Sequence, residues 1–159
     1  MIKTGDTLPK TTFTVMTAEG PKPRTSDEIF AGKKVVLFAV PGAFTPTCHK
    51  NHLPGFIAKV AEIQAKGVDT IAVTGVNDVF VMDAWAEATG GKGKIEFLAD
   101  GSAAFAKAIG LTVDLTERGL GIRSRRYAMI VDNSVVQSVD VEEAAGVEVS
   151  GADHIQGKR

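Results

Sequence analysis

Long apolar runs, net charge and cysteine are all scarce in this 159-residue sequence. No stretch approaches the ~18 consecutive apolar residues that a membrane-spanning helix needs, so we expect no membrane association. The 18 basic and 19 acidic side chains give a formal charge of -1, which offers no electrostatic basis for binding nucleic acid. With 44% apolar and 23% charged residues, the composition is that of an ordinary globular chain, and we expect residues 1–159 to form a single domain.

Cysteine occurs only once, as Cys48. This excludes a disulfide within these residues and a zinc site built from four cysteines. A lone cysteine is typical of a reducing compartment, where thiols stay free. The opening segment MIKTGDTLPK also lacks the apolar core of a signal peptide. Both observations predict a cytoplasmic protein.

Short apolar runs alternate with helical patterns as far as Leu120. Lys34–Val40 is predicted to be a buried strand, ended by Pro41 and Gly42. Apolar residues at helical spacing then predict a helix that closes at Gly67. The same patterns predict, in order, a strand over 70–74, a helix over 79–89, a strand over 95–99 and a helix over 102–109 that is capped by Ser102.

After Leu120 the pattern changes to two strands, residues 127–131 and 135–141. The turn residues between them, 132–134, are typical of antiparallel neighbours. Ser150 and Asp153 have the spacing of a capping box that would open a short last helix. Together these elements predict an α/β fold with a mixed central β-sheet flanked by helices.

The residues suited to chemistry are concentrated between Pro41 and His52, in the string PGAFTPTCHKNH. Thr45 suits the N-cap of a helix and Pro46 its first position, which puts Cys48 in the first turn. Unpaired backbone N–H groups and the positive end of the helix dipole favour an anion there, so they lower the pKa of a thiol. The pattern therefore predicts a reactive thiolate at Cys48.

The pattern Pro41-x-x-x-Thr45-x-x-Cys48 resembles the active-site signature of the peroxiredoxins. The longer string VPGAFTPTCHKNHLPGF is similar to their type-5 branch, which includes the plant type II enzymes. Matching blocks follow in the same order along the chain, at residues 76–85, 97–101, 119–121 and 123–127. The resemblance implies a thioredoxin-like fold and the reduction of hydrogen peroxide and alkyl hydroperoxides, with no metal and no organic cofactor.

The resemblance also implies roles for the matching residues. Cys48 attacks the peroxide and becomes a sulfenic acid, Thr45 orients the peroxide, and Pro41 shields the thiolate from water and from over-oxidation.

The matching arginine is expected to be Arg126, because it directly precedes the aromatic residue Tyr127. A guanidinium there can stabilise the thiolate and bind a peroxide oxygen. Arg123 and Arg125 are weaker candidates for the same role. His52 is expected to support the active-site helix.

Two-cysteine peroxiredoxins reduce the sulfenic acid with a second thiol, but the corresponding regions here hold Val73 and Ser150. The resemblance therefore implies a single-cysteine cycle with an external thiol, with glutathione and glutaredoxin as the first choice and thioredoxin as the second. It further implies a homodimer, for which Phe44, Phe80 and Leu120 are candidate contact residues.

Three other functions fit part of the same pattern. Cys48 and His52 are four residues apart and could supply two metal ligands, but a metal site needs a third and His154 has no suitable spacing. The same pair could serve a cysteine hydrolase, although no acidic or amide residue is identifiable to orient the histidine. A redox sensor or binding module, in which Cys48 is oxidised and read by a partner, differs from a peroxidase only in lacking turnover.

Overall fold

The central strand of the sheet follows directly from the most apolar run of the sequence. The structure, a computed structural model, describes residues 1–46, 52–142 and 150–157. Its strands are β1 (Thr12–Thr17), β2 (Gly20–Thr25), β3 (Lys34–Val40), β4 (Thr70–Gly75), β5 (Glu96–Ala99), β6 (Thr112–Leu115), β7 (Gly121–Ser124), β8 (Tyr127–Asp132) and β9 (Val135–Val141). Its helices are α1 (Ser26–Phe30), α2 (Leu53–Gln64), α3 (Val79–Thr89), α4 (Ala104–Ala108) and α5 (Ala152–Gly157), with a 3₁₀ turn at Thr116–Arg118.

Seven strands form one sheet in the order β2-β1-β5-β4-β3-β8-β9, and β6 and β7 form a separate hairpin. β3 is parallel to β4 and antiparallel to β8, so the predicted mixed sheet is confirmed. Alternate residues of β3 point to opposite faces, which divides the core into two clusters. Val36, Phe38 and Val40 pack with the cluster that includes residues of α2, α3 and α5. Both faces of β3 are thus covered, as expected of a strand this apolar.

Most of the predicted elements are present with small shifts at their ends. The helix Val79–Thr89 and the strand Val135–Val141 have the predicted bounds. Asn133 and Ser134 have positive φ values of 48° and 68°, the backbone of the tight turn predicted between the antiparallel strands β8 and β9. Among the residues that the structure covers, no helix is long and apolar enough to cross a membrane.

The predicted cap of the fourth helix is wrong. α4 begins at Ala104, after Ala103 in a left-handed conformation with φ 60°. Its first N–H groups are accepted by the Asp100 carboxylate, whose oxygens lie 3.0 Å from Phe105 N and 2.9 Å from Ala106 N. Each carboxylate oxygen of Asp100 thus satisfies one helix N–H group, and Asp100 takes the place predicted for Ser102.

The capping box predicted at the last helix consists of Ser150 and Asp153. α5 begins at Ala152, and the Ser150 hydroxyl donates to the Glu142 carboxylate at 2.7 Å. The side chain of Asp153, the other half of the predicted box, lies outside the part that the structure describes. The Ser150 hydroxyl proton is therefore used to bind a buried acid.

Candidate active site

Pro41, Thr45, His52 and Arg126 lie at one end of the central sheet. β3 ends at Val40 and continues into Pro41, while β8 runs antiparallel to it with Ala39 paired to Tyr127. The chain therefore leaves β3 towards Pro41 at the same end where Arg126 enters β8. Residues 47–51, with the predicted nucleophile Cys48, lie outside the described ranges.

Thr45 uses its hydroxyl proton within its own loop. Oγ1 donates to the carbonyl oxygen of Gly42 at 2.6 Å, and Pro46 is the first helical residue, as the capping pattern predicted. A hydroxyl whose single proton is committed can still accept hydrogen bonds through its lone pairs. Thr45 is thus arranged to accept a hydrogen bond from a bound molecule.

The segment that begins at Pro41 is held from two sides. Arg123 donates from Nη1 to the carbonyl of Pro41 at 3.1 Å and from Nε to the carbonyl of Leu120 at 2.8 Å. From the other side, Asn77 Oδ1 accepts the N–H of Ala43 at 2.9 Å. No role was predicted for Asn77, and Arg123 was only a weaker candidate for the role expected of Arg126. The structure places both at the loop that carries Thr45.

Arg126 lies beside His52, the first of the described residues after the segment 47–51. Its Nη1 atom is 3.0 Å from Nδ1 of His52, and Nε2 of the same ring is 2.9 Å from the carbonyl oxygen of Ser150. A carbonyl only accepts and a guanidinium only donates, so His52 carries its proton on Nε2 and accepts at Nδ1. Both ring nitrogens are thereby used within the chain.

His52 is kept neutral by its surroundings. It is fully buried and packs on Phe38, with ring centroids 4.8 Å apart. Burial lowers the pKa of His52 to about 4, and the positive charge of Arg126 adds to that effect; the bond to Ser150 and the Glu142 carboxylate oppose it. A neutral ring can accept from Arg126, whereas an imidazolium could not. Since Nδ1 already accepts this bond, it is not placed to remove a proton from a thiol.

Three side chains near this end are exposed and apolar: Phe44 at 47%, Phe80 at 65% and Ile122 at 42%. Phe44 also has a positive φ of 64°, an unusual conformation for a bulky residue, and it lies next to Thr45. Two of the three predicted dimer contacts, Phe44 and Phe80, are therefore accessible in the single chain, while Leu120 is only partly exposed.

The arrangement is suited to a small polar molecule on which negative charge develops. Arg126 supplies a permanent cation, held by a neutral ring, and Thr45 supplies an acceptor. Within residues 1–46, 52–142 and 150–157, no group of three or more histidine and acidic side chains is placed to hold a metal ion. Arg125, the remaining arginine of the basic run, donates instead to the main-chain carbonyl of Glu142 at 3.3 Å.

Comparison with known proteins gives a consistent result. The family described as Redoxin matches residues 3–155. Peroxiredoxin-2C of Oryza sativa subsp. japonica is 48% identical, over 97% of this chain and 96% of its own. The structure of reduced Prx3 in complex with H2O2 from Vibrio vulnificus is 52% identical, covers 99% of each chain and superposes with a TM-score of 0.95. That of peroxiredoxin 5 from Alvinella pompejana is 34% identical, covers 92% and 93%, and gives a TM-score of 0.81.

Proposed function

Because the chain belongs to the redoxin family and is a peroxiredoxin, a thiol peroxidase with a thioredoxin-like fold, we propose that Cys48 is its peroxide-reducing thiol. Arg126, Thr45 and Pro41 complete the site, with His52 and Phe44 in support. The observation that carries this proposal is that Arg126, bound to neutral His52, directly precedes β8 at the same end of the sheet where β3 continues through Pro41 and Thr45 towards Cys48.

The reaction transfers one oxygen atom to sulfur. The Cys48 thiolate attacks one oxygen of hydrogen peroxide or an alkyl hydroperoxide, a sulfur–oxygen bond forms and the oxygen–oxygen bond breaks. The departing oxygen takes up a proton and leaves as water or an alcohol, and Cys48 becomes a sulfenic acid. No metal or organic cofactor is required, because sulfur supplies both electrons.

Ionisation of the thiol accounts for only part of the acceleration. An ordinary thiol is already a few per cent ionised at neutral pH, so full ionisation multiplies the reactive species only about 30-fold. Enzymes typically accelerate their reactions by at least ~10⁶-fold. The rest must come from holding the peroxide in line with sulfur and stabilising charge on the leaving oxygen. Arg126 is suited to donate a hydrogen bond to that oxygen, and Thr45 to accept one from the peroxide O–H.

The sulfenic acid is reduced by an external thiol. The two positions expected for a second thiol hold Val73 and Ser150 instead of cysteine, and both side chains are fully buried. A first external thiol attacks the sulfenic sulfur of Cys48, so that a mixed disulfide forms and water leaves. A second external thiol then attacks the mixed disulfide, which frees the Cys48 thiol and leaves the two external thiols joined in a disulfide. Glutathione with glutaredoxin is the proposed reductant, and thioredoxin is the second choice.

The same proposal includes a homodimer and a cytoplasmic location. Phe44, Phe80 and Ile122 are exposed apolar side chains at the active-site end, which is costly in an isolated chain and is relieved when a second copy covers them. A cycle that needs an external thiol suits a compartment rich in reduced thiols.

The test combines intact mass with steady-state turnover. One equivalent of hydrogen peroxide should add one oxygen to the parent and none to Cys48→Ser, and turnover should be supported better by glutathione with glutaredoxin than by thioredoxin. Arg126→Lys should lose most of the peroxidase activity, because an ammonium cannot reproduce the planar guanidinium. Peroxide turnover by Cys48→Ser at the parent rate would overturn the assignment of the thiol.

A further inference from the structure

Glu142 is a buried acid whose carboxylate binds both polar hydrogens of Ser150. It follows β9 and is only 8% exposed, and Ser150 is fully buried. Oε2 accepts the Ser150 N–H at 2.8 Å and the Ser150 hydroxyl at 2.7 Å. Charge-assisted bonds to a buried carboxylate are among the stronger hydrogen bonds in proteins. The position and direction of the Ser150 peptide are therefore well determined.

The carbonyl of Ser150 is the group that accepts from His52. The bond from His52 Nε2, at 2.9 Å, leaves Nδ1 on the opposite side of the ring as the acceptor for Arg126 Nη1 at 3.0 Å. Were the carbonyl turned away, the ring would lose the partner that keeps the proton on Nε2. The other neutral tautomer would then present a hydrogen to the guanidinium where an acceptor is needed.

The hydrogen bonds return to Arg126 through the main chain. The N–H of Glu142 donates to the carbonyl of Arg126 at 2.9 Å, and Arg125 donates to the carbonyl of Glu142 at 3.3 Å. The hydrogen bonds thus form a closed network that runs from the Arg126 main chain through Glu142, Ser150 and His52 to the Arg126 side chain. Each residue in this network is held by the residues before and after it in the network.

We infer that Glu142 and Ser150 are positioning residues for Arg126, which set the direction of its guanidinium through the tautomer and placement of His52. The inference rests on the proposed role of Arg126 in peroxide reduction. A donor that is already aimed at the leaving oxygen needs no reorganisation as the oxygen–oxygen bond breaks. Neither Glu142 nor Ser150 touches the peroxide in this scheme, and their effect reaches the reaction only through Arg126.

A purely structural role is the alternative. Ala152 and Ile155 of α5 pack in the core cluster that also contains Leu53 and Phe56 of α2. The bonds between Glu142 and Ser150 also hold the start of this helix in place. A structural role predicts that loss of these bonds lowers the free energy of unfolding without changing the chemistry at Cys48 or the state of the His52 ring.

The experiment compares Glu142→Ala and Glu142→Gln with a matched control. The control is Asp100→Ala, which removes another buried carboxylate that accepts two backbone N–H groups. We expect Glu142→Ala to lower kcat/KM for hydrogen peroxide about tenfold or more. Glu142→Gln should stay within about threefold of the parent, because its amide oxygen still accepts from Ser150. Asp100→Ala should react like the parent even where it is less stable.

The second readout is the nitrogen NMR spectrum of the histidine rings. The parent should show His52 protonated on Nε2 and accepting at Nδ1, and Glu142→Ala should shift both resonances while Asp100→Ala leaves them in place. Parent-like kcat/KM in folded Glu142→Ala, or an equal loss in Asp100→Ala, overturns the inference. If Glu142→Ala does not fold, Ser150→Ala decides in the same way, with a loss of about two- to fivefold expected because the backbone N–H bond remains. Peroxide turnover without Cys48 would instead refute the proposed function and is seen separately in Cys48→Ser.

Discussion

Arg123 donates to the carbonyl of Pro41 across 82 residues of sequence, with Nη1 and the carbonyl oxygen 3.1 Å apart. Its Nε atom donates at the same time to Leu120, which belongs to the loop before β7. One permanently charged side chain therefore joins the β6–β7 hairpin to the segment that carries Thr45. The contact suggests that the hairpin, which is separate from the main sheet, has a direct influence on the active site.

Replacement of Arg123 by alanine should slow peroxide reduction. We expect kcat/KM for hydrogen peroxide to fall about tenfold, because the Pro41 carbonyl loses its charged donor and Thr45 is held less precisely. The kcat/KM of Arg123→Lys should lie between those of the parent and Arg123→Ala, since lysine keeps the charge but lacks the forked guanidinium that reaches both carbonyls. Arg118→Ala removes an exposed arginine of the neighbouring turn and should leave the rate unchanged. Equal rates for Arg123→Ala and the parent would show that the hydrogen bonds from Arg123 to Pro41 and Leu120 have no kinetic effect.

Gly42 allows a second, independent test of the same contact. A Cβ atom at this position would lie 2.9 Å from Nη1 of Arg123 and 3.0 Å from Cγ2 of Thr45. Gly42→Ala should therefore displace one or both side chains and reduce kcat/KM by a factor comparable to that of Arg123→Ala.

Gly55 in α2 provides the matched control, since among the described residues its Cβ would meet nothing closer than Ala152 Cβ at 3.9 Å. Gly55→Ala should raise the free energy of unfolding by up to about 1 kcal/mol, because alanine loses less backbone entropy in a helix, and should leave peroxide reduction unchanged. Denaturant titration and steady-state assays of the two variants give the comparison. Full activity in Gly42→Ala would contradict the steric argument.

The fold was predictable where one element carries a strong pattern of its own. Val35 to Val40 are all apolar, and Val79–Thr89 has both an Asp78 cap and a closing Gly90. β1 and β2 were not predicted, because β2 has the sequence GPKPRT, and prolines normally argue against a strand. They are tolerated here since β2 lies at the edge of the sheet, a position that only the complete strand order reveals.

The site was predictable only in part. The string from Pro41 to Cys48 is local, and the resemblance selected Arg126 from three arginines. The partners of these residues are main-chain carbonyls and side chains far away in sequence: His52 and Ser150 are 98 residues apart. Every residue has a main-chain carbonyl, so the sequence does not indicate which carbonyl accepts a given hydrogen bond. Contacts such as those of Arg123 with Pro41 therefore require the three-dimensional structure.

Tyr127 should tolerate loss of its hydroxyl. The ring is fully buried, and its hydroxyl has no hydrogen-bond partner among the residues with described positions. Such a group costs about 1–3 kcal/mol, so Tyr127→Phe should raise the free energy of unfolding by about 1 kcal/mol. Thr74→Val is the contrasting variant, because the Thr74 hydroxyl donates to the Leu98 carbonyl at 2.8 Å, and it should cost about 1 kcal/mol. A loss of stability in Tyr127→Phe would mean that the hydroxyl does have a partner.

The ionisation of Tyr127 gives an additional prediction, since it is the only tyrosine in the sequence. Burial raises the pKa of Tyr127, and the negative charge of Asp100 adds to the rise. Above the ordinary pKa of tyrosine the unfolded chain loses a proton that the folded chain retains, so stability falls as the pH rises further. The phenolate absorbance should therefore appear together with alkaline unfolding. A separate titration of the folded protein at lower pH would contradict the buried position of the phenol.

His52 determines how stability changes on the acid side. Burial lowers its pKa from the ordinary 6.5 to about 4 in the folded chain; the Arg126 cation adds to this shift and the Glu142 carboxylate opposes it. Between these two values the unfolded chain binds a proton that the folded chain does not, so the free energy of unfolding falls as the pH is lowered through this range and levels off below about pH 4. The full effect is about 3 kcal/mol.

About 2 kcal/mol of this loss falls between pH 7 and pH 5 and should be measurable by urea unfolding at the two values. Carboxylates also titrate towards the acid side, so the informative quantity is the difference between the parent and His52→Gln, which has no ionisable group at this position. The variant should be less stable at pH 7, because glutamine cannot reproduce both ring contacts, but its stability should fall less steeply towards pH 5. Parallel pH profiles would mean that His52 takes up a proton in the folded chain, and a protonated ring could not accept the hydrogen bond from Arg126.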